Sequence, residues 1–125
     1  MTREKLIDYV SGEYGVQGDN PFADLLGSLV FRHKDNKKWF GLLMTIDFDK
    51  LNLQKSGKVD VINVKCDTMM KTAFLQQKGV YPSYHMNKEH WLTLVLSEIE
   101  DELLKTLVDI SFQLTKTKYK KRKSA

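Results

Sequence analysis

Val59-Asp60-Val61-Ile62-Asn63-Val64-Lys65-Cys66-Asp67 is the stretch whose reading decides the fold. Its β-branched residues alternate as a strand would, with Val59, Val61, Asn63 and Lys65 on one face and Asp60, Ile62 and Val64 on the other. The strand passes directly into a helix. Asp67 is a good N-cap for a segment over 68–78, where Met69, Met70, Ala73 and Phe74 make an apolar stripe that should pack in the core. Gly79 suits the left-handed position that ends such a helix.

Upstream, Lys38 to Phe48 also alternates. Phe40, Leu42, Met44, Ile46 and Phe48 are expected on one face, and Trp39, Gly41, Leu43, Thr45 and Asp47 on the other. A shorter strand, Leu29 to His33, reaches it through a turn at Asp35-Asn36. Residues 2–14 have helical spacing at Leu6, Ile7, Val10 and Tyr14, with Thr2 placed to cap. Gly15, Gly18 and Asp19-Asn20-Pro21 break that helix, residues 22–28 are ambiguous, and 49–57 form a connection holding Leu51 and Leu53. Downstream, Tyr84 to Met86 and His90 to Leu96 are expected to pair as a second hairpin. A last helix begins near Ser97, whose spacing to Glu100 matches a capping box. Leu103, Leu104, Leu107, Val108, Ser111 and Leu114 form its buried face.

The order helix, three strands, helix, two strands, helix predicts an α+β class: one compact domain, a largely antiparallel sheet, and helices packed on one face. The domain should span 1–115, with 116–125 a basic tail continuing the last helix. The uncovered sheet face would carry Trp39, Leu43, Thr45, Val61, Asn63, Lys65, Trp91, Thr93 and Val95. That mixed surface suits a partner or a second copy of the chain.

Composition narrows the function classes. The chain has 125 residues, 42% hydrophobic and 29% charged, as expected of a globular protein. Apolar runs stop well short of the ~20 residues of a membrane helix. Cys66 is the single cysteine, which excludes a disulfide framework and a cysteine zinc site and points to a reducing compartment, by default the cytoplasm. Of the 20 basic residues six fall between Lys116 and Lys123, so the rest of the chain carries 14 against 16 acids, net −2. The basic pI therefore belongs to the tail, a feature that attracts nucleic acid or other anionic surfaces.

Two segments hold the candidate recognition residues. Arg32-His33-Lys34-Asp35-Asn36-Lys37-Lys38-Trp39 puts cations at a loop tip beside an aromatic ring, a fit for phosphate and base; lysines also keep a hairpin edge soluble. Tyr84-His85-Met86-Asn87-Lys88-Glu89-His90-Trp91 packs two imidazoles, an amide, a cation and an indole into one turn. With a two-residue turn at Asn87-Lys88, His85 lies across from His90; with a three-residue turn it faces Trp91. The histidines lack a third ligand at metal-binding spacing, so neither metal nor cofactor is expected. Backbone hydrogen bonding or stacking would also account for them. Cys66 at a helix start lacks an assigned base, and no catalytic residue is expected.

The blocks Val30-Phe31-Arg32-His33, Lys37-Lys38-Trp39-Phe40, Val59 through Asp67 and Tyr81-Pro82-Ser83-Tyr84 through Trp91 resemble the MmcQ/YjbR family, as do Thr2 through Tyr9 and Asn20-Pro21-Phe22. The resemblance reaches to about Thr115. It implies a frataxin-like (CyaY-like) α/β domain and a non-enzymatic, DNA-binding role through a "double wing" of sheet and hairpins. Thr68 stands where the family commonly has proline, and the basic tail lies beyond the resemblance. The first helix, with only Glu4, Asp8 and Glu13, lacks the acidic ridge that iron handling would need. On this reading Arg32, Lys34, Lys37, Lys38, Lys65 and Lys88 contact phosphates, while His85, Asn87, His90, Trp39 and Trp91 approach bases or sugars. The alternative is a protein-interaction or small-ligand module in which Trp39, Trp91, His85 and His90 line a pocket. No obligate protein partner follows from the sequence, and monomer and dimer are both open.

Overall fold

The computed structural model describes residues 1–20, 27–51 and 55–118. Its elements are helix α1 (Arg3–Tyr14), strands β1 (Leu29–Arg32) and β2 (Trp39–Asp47), a 3-10 turn (Phe48–Leu51), strand β3 (Lys58–Lys65), helix α2 (Thr68–Leu75), strands β4 (Val80–Pro82) and β5 (Trp91–Val95), and helix α3 (Asp101–Thr115). The strands form one sheet in the order β1-β2-β3-β5-β4, every pair antiparallel. Leu6 and Val10 of α1 and Leu104, Leu107 and Val108 of α3 pack on one face against Phe31, Phe40, Leu43, Ile62, Val64, Leu92 and Leu94. The α+β sandwich of sheet and helices is the expected one. Parts of the 22–28 and 49–57 connections and the end of the tail lie outside the described residues.

Two helix ends follow directly from their capping chemistry. The Thr2 hydroxyl accepts from the Lys5 amide, and Gly15 closes α1 in the left-handed conformation at φ 64°. The Asp67 carboxylate accepts from the Met69 amide and starts α2. The capping box at Ser97 does not form. Leu96 to Glu98 is a turn, and α3 starts at Asp101 after an extended Glu100. Helix α3 then ends at Thr115, where Lys116 is extended at ψ 156°, so the expected continuation through Lys116–Lys118 does not form.

The faces of β2 depart from strict alternation. The β1–β2 register jumps from Phe31↔Gly41 to Arg32↔Trp39, leaving Phe40 as an extra residue. A bulge of this kind turns two successive residues toward the same side. Phe40 points toward the helices, with ring centroids 5.7 Å from Tyr14 and 5.0 Å from Phe112. Gly41 faces the same way, since a Cβ there would lie 3.1 Å from Ile62 Cδ1 and 3.2 Å from Phe31 Cδ2. Beyond the bulge Leu43 joins the helix side, while Leu42, Met44 and Ile46 join Trp39 on the opposite face. Phe40 and Trp39 therefore keep the sides expected of them, while Leu42, Met44 and Ile46 exchange faces with Gly41 and Leu43.

That second face is not open. Val30, Leu42, Val61, Asn63, Thr93 and Val95 are all buried there, with Leu51, Phe48, Tyr84 and Met86 packed over the strands. The expected uncovered surface of Val61, Asn63, Thr93 and Val95 is thus interior, Leu43 is buried on the helix side, and Trp39, Thr45, Lys65 and Trp91 are the residues of that set that stay half-buried. Helix α2 differs in the other direction. It buries no residue fully, and Met69 and Met70, expected in the core, are exposed.

Candidate nucleic-acid interface

In an antiparallel sheet the C-terminal end of one strand lies beside the N-terminal start of the next. Arg32 ends β1, Trp39 starts β2, Lys65 ends β3 and Trp91 starts β5, and the pairs Arg32↔Trp39 and Lys65↔Trp91 put all four at the same end of the sheet. The β1–β2 turn (33–38), the start of α2 and the β4–β5 loop (83–90) project from that end. Helix α3 points its C-terminus there as well. The Asn36 amide donates to the Thr115 carbonyl at 3.0 Å and to Thr117 Oγ1 at 3.1 Å. Ser111 Oγ donates to the Phe40 carbonyl at 2.7 Å and accepts from the Lys65 amide at 2.8 Å. This hydroxyl bridges β2 and β3 where their own ladder has ended at Leu42↔Asn63.

Every residue singled out from the sequence, Arg32, Lys34, Lys37, Lys38, Trp39, Lys65, His85, Asn87, Lys88, His90 and Trp91, therefore lies at one end of the molecule, not across a sheet face. The structure adds Lys71, Lys116 and Lys118. Lys71 Nζ donates to the Lys88 carbonyl at 2.9 Å, which ties α2 to the β4–β5 loop. Among the described residues the acids at this end are Glu13, Asp19, Asp35, Asp67 and Glu89, with Asp109 nearby accepting from the Tyr14 hydroxyl at 2.9 Å, and Asp19 is occupied by Arg32 at 2.6 Å. The opposite end collects Asp47, Asp49, Asp60, Glu98, Glu100, Asp101 and Glu102, interspersed with Lys50, Lys55 and Lys58. Charge is segregated along the sheet, so a body of net −2 still presents a cationic end.

The β4–β5 loop is not the expected tight hairpin. Strand β4 is Val80–Pro82, paired as Val80↔Leu94, Tyr81↔Thr93 and Pro82↔Leu92, and Tyr84 to Met86 is not a strand. Asn87 organises the loop: its side-chain oxygen accepts from the Glu89 amide at 2.7 Å and its carbonyl from the Trp91 amide at 3.0 Å. His85 has φ 74°, a conformation uncommon for a residue with a Cβ. Its ring sits beside Tyr84, centroids 5.8 Å apart, and it is not a cross-strand neighbour of His90. His90 is exposed, and its carbonyl accepts from the Cys66 amide at 2.8 Å. It shares a depression of about 290 Å³ with Lys65, Cys66, Asp67, Thr68 and Leu114, rather than a pocket with both tryptophans and His85. Burial and then the nearby Asp67 charge push the Cys66 thiol up, and Sγ donates to the Asp67 carbonyl at 3.3 Å. Among the described residues no three His, Cys, Asp or Glu side chains gather to hold a metal, and no helix is long and apolar enough to cross a membrane.

His33, expected to end the first strand, lies one residue beyond β1 and forms a buried wall at this end of the molecule. Its ring is buried, with Nε2 2.8 Å from Thr115 Oγ1. The Thr115 hydroxyl gives its proton to the Ser111 carbonyl at 2.7 Å, so it accepts from an Nε2–H. Burial pulls the imidazole pKa below its ordinary 6.5, against an opposing pull from Asp35. The unfolded chain then binds the proton more readily, so this contribution to stability is present above pH 6.5 and is lost as pH falls through the folded value. Urea midpoints should therefore drop between pH 7.5 and pH 5.5, and His33→Gln should flatten that dependence; an equal slope in both proteins excludes His33 as its source. The Thr117 hydroxyl and the Asn36 amide hold the neighbouring Asp35 carboxyl below its usual range.

The YjbR family model matches residues 12–114. The uncharacterised protein YyaQ of Bacillus subtilis is 36% identical over 117 residues, covering 93% of this chain and 99% of its own. A crystal structure of a Pseudomonas syringae protein is 38% identical with a TM-score of 0.89, over 93% of this chain and 100% of that one. A solution structure from the same organism is 36% identical with a TM-score of 0.88, over 99% and 100%. A Deinococcus radiodurans protein, 23% identical with a TM-score of 0.64 over 92% and 82%, shares the fold. Family model, curated relative and solved structures agree over nearly the whole length, and the chain belongs to the MmcQ/YjbR family.

Proposed function

We propose that the protein binds duplex DNA, without catalysing a reaction on it, through the cationic end of the sheet. The observation that carries this reading is the convergence of Lys34, Lys37 and Lys38 on one loop, Lys88 on the other, Lys65 and Lys71 between them, and Lys116 and Lys118 leaving α3. Phosphates are recognised by such lysines at little geometric cost, and the released counterions supply the binding free energy. Two projecting loops flanking a helix start resemble a pair of wings more than a flat sheet surface does. His85 and Asn87, exposed at the tip of the second loop, are the groups placed to reach base edges or sugars. The protonated, carbonyl-bound thiol of Cys66 supports a role other than nucleophilic catalysis.

The test is fluorescence anisotropy with a short duplex across a salt series, using the full chain, a chain ending at Lys118, and Lys34→Ala/Lys37→Ala/Lys88→Ala. The shortened chain keeps Thr117 on Asn36 and should still bind. The triple variant should bind at least tenfold more weakly, with the salt slope reduced by about 1 for each phosphate deprived of its lysine. Binding that vanishes with residues 119–125, or that ignores the triple substitution, would overturn the reading. In that case a ligand for the β4–β5 loop and its His90 depression becomes the better account.

A further inference from the structure

Two cavities meet beside the cationic end. One, of about 330 Å³, lies against Tyr14, Val16, His33 and Phe112, with Lys34, Asp35, Lys116 and Thr117 at its margin, where the two lysines outnumber the single carboxylate. The other, of about 390 Å³, is bounded by Gly15, Gln17, Arg32, Lys34 and Lys37. Val16, His33 and Lys34 belong to both, so the two are lobes of one groove between the end of α1 and the β1–β2 turn. Each lobe has the size of a small-molecule site. The first is aromatic: the Tyr14 and Phe112 rings stack at 4.4 Å, and the His33 ring stands 4.5 Å from Phe112. The second is cationic, and its one acid, Asp19, is already held by Arg32. The Arg32 guanidinium, about 30% exposed, reaches this lobe, while its Nε is buried and has no hydrogen-bond partner among the described residues. Hydrogen bonds from Asn36 and His33 to Thr115 fix the wall, so the groove is formed before any ligand arrives.

From this arrangement we infer that the groove binds a nucleoside phosphate, with the base in the aromatic lobe and the phosphate beside Arg32, Lys34 and Lys37. A neutral ring would satisfy only the first lobe and an inorganic anion only the second. A flat ring carrying an anionic group a few bonds away uses both, with Lys34 at the junction. The inference does not rest on duplex binding. The same chemistry is offered by a free nucleotide and by an unpaired nucleotide of a single strand.

The experiment is an amide-resolved NMR titration of the full chain with AMP, adenosine, inorganic phosphate and a short oligodeoxyadenylate. AMP should shift Val16, Gln17, His33 and Lys34 saturably, and adenosine and phosphate should each bind at least tenfold more weakly. Lys34→Ala should weaken AMP about tenfold, and Lys58→Ala at the far end should leave it unchanged; the spectra themselves report that both variants are folded. An oligonucleotide that binds the same amides more tightly than AMP assigns the site to a strand, and the reverse order assigns it to the free nucleotide. Unsaturable AMP shifts, or AMP shifts identical to those of phosphate and confined to Lys34 and Lys37, overturn the proposal. Loss of duplex binding with AMP binding intact would remove the duplex reading alone.

Discussion

Gly79→Ala should lower the unfolding free energy by about 3 kcal/mol or more, combining the cost of a side chain at positive φ with overpacking. Gly79 sits at φ 84° in the turn that returns the chain from α2 into β4. A Cβ there would lie 2.5 Å from the Ile99 nitrogen and 2.7 Å from its Cα. These are backbone atoms, so no rotamer change relieves the clash. The Gly79 carbonyl also accepts from the Val95 amide at 2.8 Å, so the turn cannot move without weakening the start of the β4–β5 pairing. Gly12→Ala is the matched control: it is exposed in the interior of α1, a Cβ there meets nothing within 4 Å, and it should gain about 0.5–1 kcal/mol. Urea unfolding of the two variants measures both effects. A loss below about 1 kcal/mol at position 79 would mean that the turn relaxes around the methyl group and that the contact with Ile99 is not rigid.

The same glycine shows what a sequence reading can reach. Its left-handed conformation was legible, but its place was not: α2 ends at Leu75, capped by Gln76, and Gly79 belongs to the following turn. The apolar stripe of Met69, Met70, Ala73 and Phe74 pointed to a buried helix. Periodicity records that a helix has an apolar side, not whether the sheet offers a surface to cover it, and here Phe74 packs while Met69 and Met70 do not. The bulge at Phe40 was hidden because the β2 sequence alternates without interruption. The extra residue is visible only against β1, and it exchanges the faces of everything on one side of it. Closure of the second sheet face was hidden for a related reason, since it depends on Leu51, Tyr84 and Met86 arriving from separate loops. The clustering of the candidate recognition residues has a topological reason. Cations, amides and aromatics at strand ends and turns must gather at the ends of an antiparallel sheet, so their clustering follows from topology once the strands are placed. Lys71 was missed because its neighbours looked like core; its position four residues after the Asp67 cap was the available signal.

Asn63→Leu tests whether the sheet interior positions the β4–β5 loop and, with it, the proposed duplex contact. Asn63 is fully buried, and its amide donates to the Tyr84 carbonyl at 2.8 Å. The Thr93 hydroxyl donates to Asn63 Oδ1 at 2.6 Å and accepts from the Tyr84 amide at 2.9 Å. Two side chains on neighbouring strands thus hold both backbone groups of Tyr84, the residue from which His85 and the rest of the loop depart. Asn63→Leu strands the Tyr84 carbonyl and the Thr93 hydroxyl, and Thr93→Val strands the Tyr84 amide and Asn63 Oδ1. Each buried unsatisfied group costs about 1–3 kcal/mol, so either variant should lose about 2–4 kcal/mol. The double variant removes the side-chain partners together and leaves only the two Tyr84 groups. With the Thr93 hydroxyl and Asn63 Oδ1 both gone, its loss should be close to that of either single variant and fall short of the sum by about 2 kcal/mol or more. Neither substitution removes a cation, yet both should speed amide exchange at Tyr84 and weaken duplex binding, because Lys88 and His85 then lose their fixed position. Additive stability losses would show that the two side chains act separately. Unchanged duplex affinity with a loosened loop would show that the β4–β5 loop contributes no ordered contact, and would leave recognition to the β1–β2 turn and the α3 C-terminus.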